Sequence, residues 1–272
     1  MATPIGNLED ITLRAIRVLK EVTLIAAEDT RHTRKLLKRY KISTPIISYH
    51  DHNKEKRTPE LLSRLRSGDS LALVTDAGTP SISDPGHFLV REAIRAAVPV
   101  VPIPGASALV AALSVSGLPT DSFVFVGFVP RKTAKRKNLL EALKDESRTL
   151  IFYESPQRLL RLMREMLDVM GDRCAVVARE LTKIHEEMLR GPLSGIVRTL
   201  TDRPSLKGEC TLVLAGCEEE AVDFDKNVVL DDLKQLHLET GRPVSDLVRE
   251  VARKHGLSRN LVYAEALKLR KE

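Results

Sequence analysis

The chain has 272 residues, 43% of them hydrophobic, and a formal net charge of +6, which leaves room for a core in one large or two medium domains. No run approaches the ~18 apolar residues of a membrane span, and no basic segment followed by an apolar one opens the chain, so the cytoplasm is the expected compartment. The positive balance favours a polyanionic partner, but with no Trp and 4% aromatics, base stacking is excluded as the main way of holding nucleic acid.

Asn7 is placed to cap a helix carrying Leu8, Ile11, Leu13, Ile16 and Leu19, with Glu9 and Asp10 in its first turn. Only Met1, Ala2 and Thr3 precede Pro4, so the strand that normally leads into such a turn is expected to be truncated. Residues 22–27 read as a strand that delivers Glu28, Asp29, Thr30, Arg31 and His32 at its carboxyl end. The helix after it, to about Arg39, carries Arg31, Arg34, Lys35, Lys38 and Arg39 with no acid among them. A short strand at 45–49 ends in His50-Asp51-His52-Asn53, and a polar helix is expected at 58–66.

Residues 70–75 are a short apolar strand, followed by the loop Asp76-Ala-Gly-Thr-Pro-Ser-Ile-Ser-Asp-Pro-Gly86. In an open α/β sheet, ligands sit at the carboxyl ends of strands. Gly78, Pro80, Pro85 and Gly86 set the path of this loop, while Asp76, Thr79, Ser81, Ser83 and Asp84 supply polar groups along it. Asp84 and Pro85 also read as N-cap and first residue of the next helix, 87–97. A further strand is expected at 98–103, and Pro104-Gly-Ala-Ser-Ala108 turns it into a helix to about Ser116. This alternation predicts a mostly parallel sheet.

Residues 117–121 read as a linker, after which the alternation restarts with strands at 122–128, 149–153, 174–178 and 211–215 and an antiparallel edge at 186–190. Helices are expected at 131–143, from Ser155-Pro156 to about Met170, and at 193–200. The predicted domains are 1–117 and 122–217, both α/β, and a small all-α domain at 226–272, with 218–225 as a solvated acidic link. In the tail, a helix at 231–239 is followed by one that Pro243 opens and Gly256 ends, with Val244, Leu247, Val248 and Val251 on one face. Ser258 caps a third helix carrying Val262, Tyr263, Ala266 and Leu267. This matches helix-turn-helix geometry, with Arg259 and Asn260 at the start of the recognition-like helix and Lys268, Arg270 and Lys271 at its end. Helical packing modules share the same geometry.

Several familiar sites are missing: there is no Gly-x-Gly pair, no phosphate-binding Gly-Lys-Ser/Thr loop and no G-x-S-x-G elbow. His50 and His52 would point to opposite sides of an extended strand with no second ligand pair nearby, so no metal is expected. Cys174, Cys210 and Cys217 form no C-x-x-C pair and are expected to be reduced.

Six stretches in order, Thr3-Pro-Ile-Gly-Asn-Leu-Glu-Asp-Ile-Thr-Leu-Arg14, Ala27-Glu-Asp-Thr-Arg-His-Thr33, Thr75-Asp-Ala-Gly-Thr-Pro-Ser-Ile-Ser-Asp-Pro-Gly86, Pro104-Gly-Ala-Ser-Ala108, Phe152-Tyr-Glu-Ser-Pro156 and Ala178-Arg-Glu-Leu-Thr-Lys183, carry a family resemblance. Together they resemble the ribosomal RNA 2′-O-ribose methyltransferases of the tetrapyrrole methylase superfamily, from Ala2 to about Leu214, and the helical tail is similar as well. The resemblance implies two α/β domains with S-adenosylmethionine in the cleft between them. It also implies a homodimer that methylates the ribose 2′-oxygen of a cytidine in the decoding region of 16S rRNA, free or in the small ribosomal subunit. On that basis Asp76, Ala77, Gly78, Thr79, Pro80 and Ile82 would face the methyl donor with Ser107 and Ala108, while Tyr153 and Glu154 would close its adenosine side. A tetrapyrrole carbon-methyltransferase and a non-catalytic RNA-binding assembly factor are the alternatives on the same scaffold.

Methyl transfer to a ribose hydroxyl needs the reactants held in line and a group to take the hydroxyl proton. Glu28, Asp29, His32, His50 and Glu180 are the candidates, with Asp29 assisted by Arg31 placed first, against the reading of Asp29 as the cap of its helix. RNA phosphates would be met by Arg31, Arg34, Lys35 and Lys38 and by Arg131, Lys132 and Lys135 with Arg136 and Lys137. Either group can instead be a solvated helix face.

Overall fold

A computed structural model describes residues 1–217, 226–255, 257, 262, 263 and 266. The helix expected from Asn7 is split. Asn7 caps only a short 3-10 turn, Leu8–Asp10, Ile11 is extended, and Thr12 then caps α1 (Leu13–Glu21) by accepting from the Ala15 amide. Three parallel strands follow from apolar runs too short for helices: β1 (Leu24–Ala27), β2 (Ile46–Ser48) and β3 (Leu71–Val74), ordered β2-β1-β3. They are connected by α2 (Thr30–Arg39) and by α3 (Lys54–Arg66), which starts four residues before the predicted helix. β1, buried along its whole length, carries Ile25 and Ala27 toward α1 and α2, and Leu24 and Ala26 toward Tyr49, Leu61 and Leu89. After β3 come α4 (His87–Arg95) and α5 (Ala108–Ser114).

Residues 98–103 are not a strand. Pro99 and Pro102 remove two of the amide donors a ladder needs, and Val100 and Val101 are 46% and 62% exposed. The carbonyl of Ile103 accepts from the Ala2 amide, and the Val98 amide donates back to Ala93 O of α4. The first three residues run alongside: the amino group of Met1 donates to Leu73 O, and Thr3 and Gly78 exchange two backbone bonds in an isolated antiparallel bridge.

The second sheet is mixed. It contains β4 (Phe123–Phe128), β5 (Thr149–Glu154), β6 (Cys174–Arg179), β7 (Glu187–Pro192) and β8 (Cys210–Leu214), ordered β4-β5-β8-β6-β7. Only β4 and β5 are parallel; β8 lies between β5 and β6 and is antiparallel to both. The antiparallel pairing thus extends well beyond the expected edge. Its helices are α6 (Thr133–Leu143), α7 (Pro156–Met170) and α8 (Leu193–Thr201). Alternation along β5 and β8 sends Leu150, Phe152, Leu212 and Leu214 into a core with α6, α7 and α8, while Ile151 and Val213 face α5 and Ile5. A strand buried on both faces has no polar side, which is why these runs read as continuously apolar.

Met1–Cys217 form one compact unit, and the tail belongs to a second. In the tail, α9 (Lys226–Thr240) and α10 (Val244–His255) bury Val229 and Leu233 against Leu247, Val248 and Val251. Asp232 ties them together through Lys254 Nζ at 2.7 Å and His255 Nε2 at 2.5 Å. Val262 and Ala266, expected on the third helix, are helical and buried. The predicted link at 218–225 and Gly256, Ser258, Arg259, Asn260, Leu267, Lys268, Arg270 and Lys271 lie outside the described residues. Among the described residues, no helix is long and apolar enough to cross a membrane.

Candidate active site

The loop after β3 is held open by its backbone. Ser81 and Ser83 both adopt left-handed φ values, +70° and +65°, which non-glycine residues take only when the surroundings enforce them. Two glycines make the enforcement possible. A Cβ on Gly86 would stand 2.7 Å from Ser81 Oγ, and one on Gly127, at the bulge of β4, 3.0 Å from Ser83 Oγ. Thr79 Oγ1 donates to Ala106 O at 3.4 Å, joining the loop to the turn before α5.

This path leaves a cavity of about 500 Å³ whose wall includes Asp76, Ala77, Gly78, Thr79 and Ile82 from the loop, Ser107 and Ala108 from the turn, and Tyr153 and Glu154 from the end of β5. Pro80 is not part of that wall. The Tyr153 hydroxyl accepts from the Leu109 amide at 3.0 Å, and its ring meets Phe125 and Phe128 edge-on at 5.0 and 5.7 Å. Glu154 is buried; Oε1 accepts from the Ser155 amide at 2.8 Å. Its Oε2 lies 3.0 Å from Arg158 Nη2 as an ion pair, off hydrogen-bond alignment.

Three carboxylates share one side of the cavity. Asp76 Oδ1 accepts from the Asp29 amide at 3.1 Å, and Glu28 Oε2 accepts from the Asp76 amide at 3.4 Å. Burial raises the Glu28 pKa. The third is Asp84, which the sequence placed as a helix cap. The cap of α4 is Gly86, with no side-chain bond, and the helix opens at His87, so neither Asp84 nor Pro85 occupies the predicted position. The left-handed turn at Ser83 turns Asp84 into the cavity wall instead. There, burial first and then the negative charges of Glu28 and Asp76 push its pKa up to about 7, with the Thr75 hydroxyl acting in the opposite direction.

Of the predicted catalytic residues, Glu28 reaches the cavity wall, whereas Asp29, Arg31, His50 and Glu180 do not. Asp29 caps α2: Oδ1 accepts from the Arg31 amide at 2.8 Å, and the Arg31 guanidinium grips both oxygens, which holds the carboxyl down to about 2. His50 Nε2 lies 3.2 Å from Asn53 Nδ2, and its buried Nδ1 has no hydrogen-bond partner among the described residues. Glu180 accepts from Lys183 Nζ at 2.7 Å and from the Glu209 amide at 3.0 Å, with its pKa lowered by the Lys183 bond. It borders a separate groove with Asn7, Arg39 and Lys183. Sequence reasoning missed Asp84 as a wall residue, and also Phe128, Gln157 and the segment 208–211. The polar spacing of the loop could have flagged Asp84; the others belong to no motif.

The two basic helices differ. Arg34, Lys35, Lys38 and Arg39 on α2 are exposed and make no ion pair with any described residue, and Arg31 is exposed too. On α6 and just before it, Arg131, Lys132, Lys135 and Lys137 are exposed, but Arg136 is 4% exposed and bound to Glu165, Nη2 to Oε1 at 2.6 Å. It also donates to the carbonyls of Pro130 and Arg131. Arg136 is therefore a structural cation, unavailable to a ligand.

A profile of the tetrapyrrole (corrin/porphyrin) methylases matches residues 2–197. The chain belongs to the tetrapyrrole methylase family. It is 48% identical over 271 residues to ribosomal RNA small subunit methyltransferase I of Synechocystis sp., covering 99% of this chain and 96% of that protein. It is 45% identical over 270 residues to the Pseudomonas aeruginosa protein of the same name, covering 98% and 95%. Among solved structures, this methylase is similar to diphthine synthase, with a TM-score of 0.61, 17% identity and coverage of 78% of this chain and 87% of that one. It is also similar to uroporphyrin-III C-methyltransferase from Thermus thermophilus complexed with S-adenosyl homocysteine, at 0.53, 22%, 77% and 93%. At those identities the structural likeness speaks for the fold.

Proposed function

We propose that this methylase transfers the methyl group of S-adenosylmethionine to the ribose 2′-oxygen of a cytidine in the decoding region of 16S rRNA, acting on free rRNA or on the small ribosomal subunit. The relatives at 45% and 48% identity over nearly the whole chain, named as small-subunit rRNA methyltransferases, support the rRNA part of this reading. The observation that carries it is the junction of site and surface. The amide of Asp29, which caps the basic helix α2, donates to Asp76 in the cavity wall, so an acid-free row of Arg and Lys leads away from the cavity. A row of cations along a helix matches the successive phosphates of a nucleic-acid strand.

The cavity suits the donor. Its loop side offers Ala77, Gly78 and Thr79, small enough for close approach, and Tyr153 offers a ring edge with its hydroxyl already anchored. Glu28 and Asp76 set negative charge beside a ligand whose sulfonium is positive. When bound, the donor supplies an activated methyl group. The protein's contribution is to hold the ribose oxygen in line with it, keep water out and accept a proton. The sheets of residues 1–117 and 122–217 would act as two domains around this cavity, and the protein as a homodimer.

Labelled donor offered to small ribosomal subunits, and in parallel to a precorrin, tests the reading. Label is expected in RNA, in a dinucleotide that resists alkaline cleavage because its 2′-oxygen is blocked. Label in the tetrapyrrole, or donor binding without transfer to RNA, overturns it.

A further inference from the structure

We infer that Asp84 is the catalytic proton acceptor of the methyl transfer, an inference that rests on the ribose-methylation reading above. Three observations separate it from its neighbours. The carboxylates of Asp76 and Glu28 are each committed to a backbone amide, at 3.1 and 3.4 Å. No backbone amide donates to Asp84 among the described residues, and the hydroxyl of Thr75 is the polar group beside it. Finally, the loop holds Asp84 in the cavity wall through left-handed Ser83, whose hydroxyl is packed against Gly127.

The charged groups that act on Asp84 are Glu28 from the end of β1, Asp76 from the end of β3 and Glu209 before β8, all acidic, with the Tyr153 phenol near by. Glu209 is paired with Lys183 Nζ at 3.0 Å, whereas Glu28, Asp76 and Asp84 form no salt bridge among the described residues. A carboxylate so placed holds a proton more tightly than a free aspartate, with a pKa of about 7, close to the value at which a general base works best near neutral pH. Asp29, held down to about 2 by Arg31, is a far weaker acceptor. In the step, Asp84 takes the proton of the 2′-hydroxyl as the oxygen–methyl bond forms and the carbon–sulfur bond breaks, with that bond's electron pair staying on sulfur. The proton then leaves Asp84 to water before the next turnover.

Single-turnover methylation of small subunits, followed across pH, tests this. The wild-type rate is expected to rise with pH through a midpoint near 7, and Asp84→Asn to lose on the order of 100-fold or more together with that rising limb. Its donor affinity by calorimetry should stay within about threefold of wild type. Glu28→Gln, which removes a negative neighbour, should move the midpoint to lower pH. Without donor or RNA, carboxyl-carbon NMR of aspartate-labelled protein should show one resonance titrating near neutrality that disappears in Asp84→Asn. An Asp84→Asn rate within about threefold of wild type, a surviving pH limb, or no such resonance would overturn the inference. If Asp84→Asn fails to fold, the wild-type profile, the Glu28→Gln shift and the resonance still decide. A wild-type protein that methylates no ribose removes the underlying reading instead, and that failure shows in the wild type and not only in the variant.

Discussion

Helices α2 and α6 look alike as sequence and differ as chemistry. Both carry clusters of Arg and Lys, yet α2 leaves Arg34, Lys35, Lys38 and Arg39 in solvent while α6 turns Arg136 inward to clamp Glu165 of α7 and two carbonyls of its own approach. A buried guanidinium needs every donor answered, and a carboxylate fork on a neighbouring helix answers two at once. The difference teaches that a run of positive residues predicts positive surface only where no acid packs against it.

The comparison breaks most visibly through stability. Arg136→Ala leaves the half-buried Glu165 carboxylate with Arg161 as its remaining partner, and urea unfolding should show a loss of about 1.5–3 kcal/mol, whereas Arg34→Ala should stay within about 0.5 kcal/mol of wild type. Equal effects would mean that Arg136 is not structural.

RNA binding sharpens the contrast next. Reversing charge at Arg34 and Lys35 together should weaken RNA on the order of tenfold at moderate salt and flatten the salt dependence by roughly one to two in log–log slope. Donor affinity should not change. The same reversal at Arg131 and Lys132 should do less; a larger effect there would move the RNA face to α6.

A smaller effect comes from the cavity, the acidic counterpart of the α2 surface. The Asp84 pKa is raised from 3.8 to about 7, so the folded protein binds that proton more tightly than the unfolded chain. Stability is then lost as pH climbs from about 4 through about 7, and Asp84→Asn escapes the loss. Its thermal midpoint should exceed wild type by a few degrees at pH 8 and match it at pH 3. No difference at pH 8 would mean that Asp84 is solvated. The smallest effect is expected at Asp29. Asn is nearly as good a helix cap as Asp, so Asp29→Asn should keep its single-turnover rate within about threefold of wild type.

Much of the fold was legible before any tertiary contact was known. Short apolar runs without a helical period became β1, β3, β5 and β8, because strands buried on both faces must be apolar throughout. The loop at 76–86 was also readable, since two glycines and two prolines at a strand end restrict the backbone to a narrow path. What misled was local pattern without its neighbours. The run at 98–103 is apolar enough for a strand, yet Pro99 and Pro102 deny it a ladder. Asp84-Pro85 has the spacing of a helix start, yet the turn at Ser83 carries both out of the helix.

The sequence by itself determined most element types, the apolar runs that build the cores of Met1–Cys217 and the position of the loop, because these follow from the spacing of apolar residues and from backbone restrictions that act within a few positions. Only the tertiary structure decided that Asp84 faces a cavity beside Glu28 and Asp76 and that Arg136 is spent on Glu165. The physical reason is common to both. A charged group's role depends on its desolvation and on the charges within a few ångströms, and those come from segments that lie far apart along the chain.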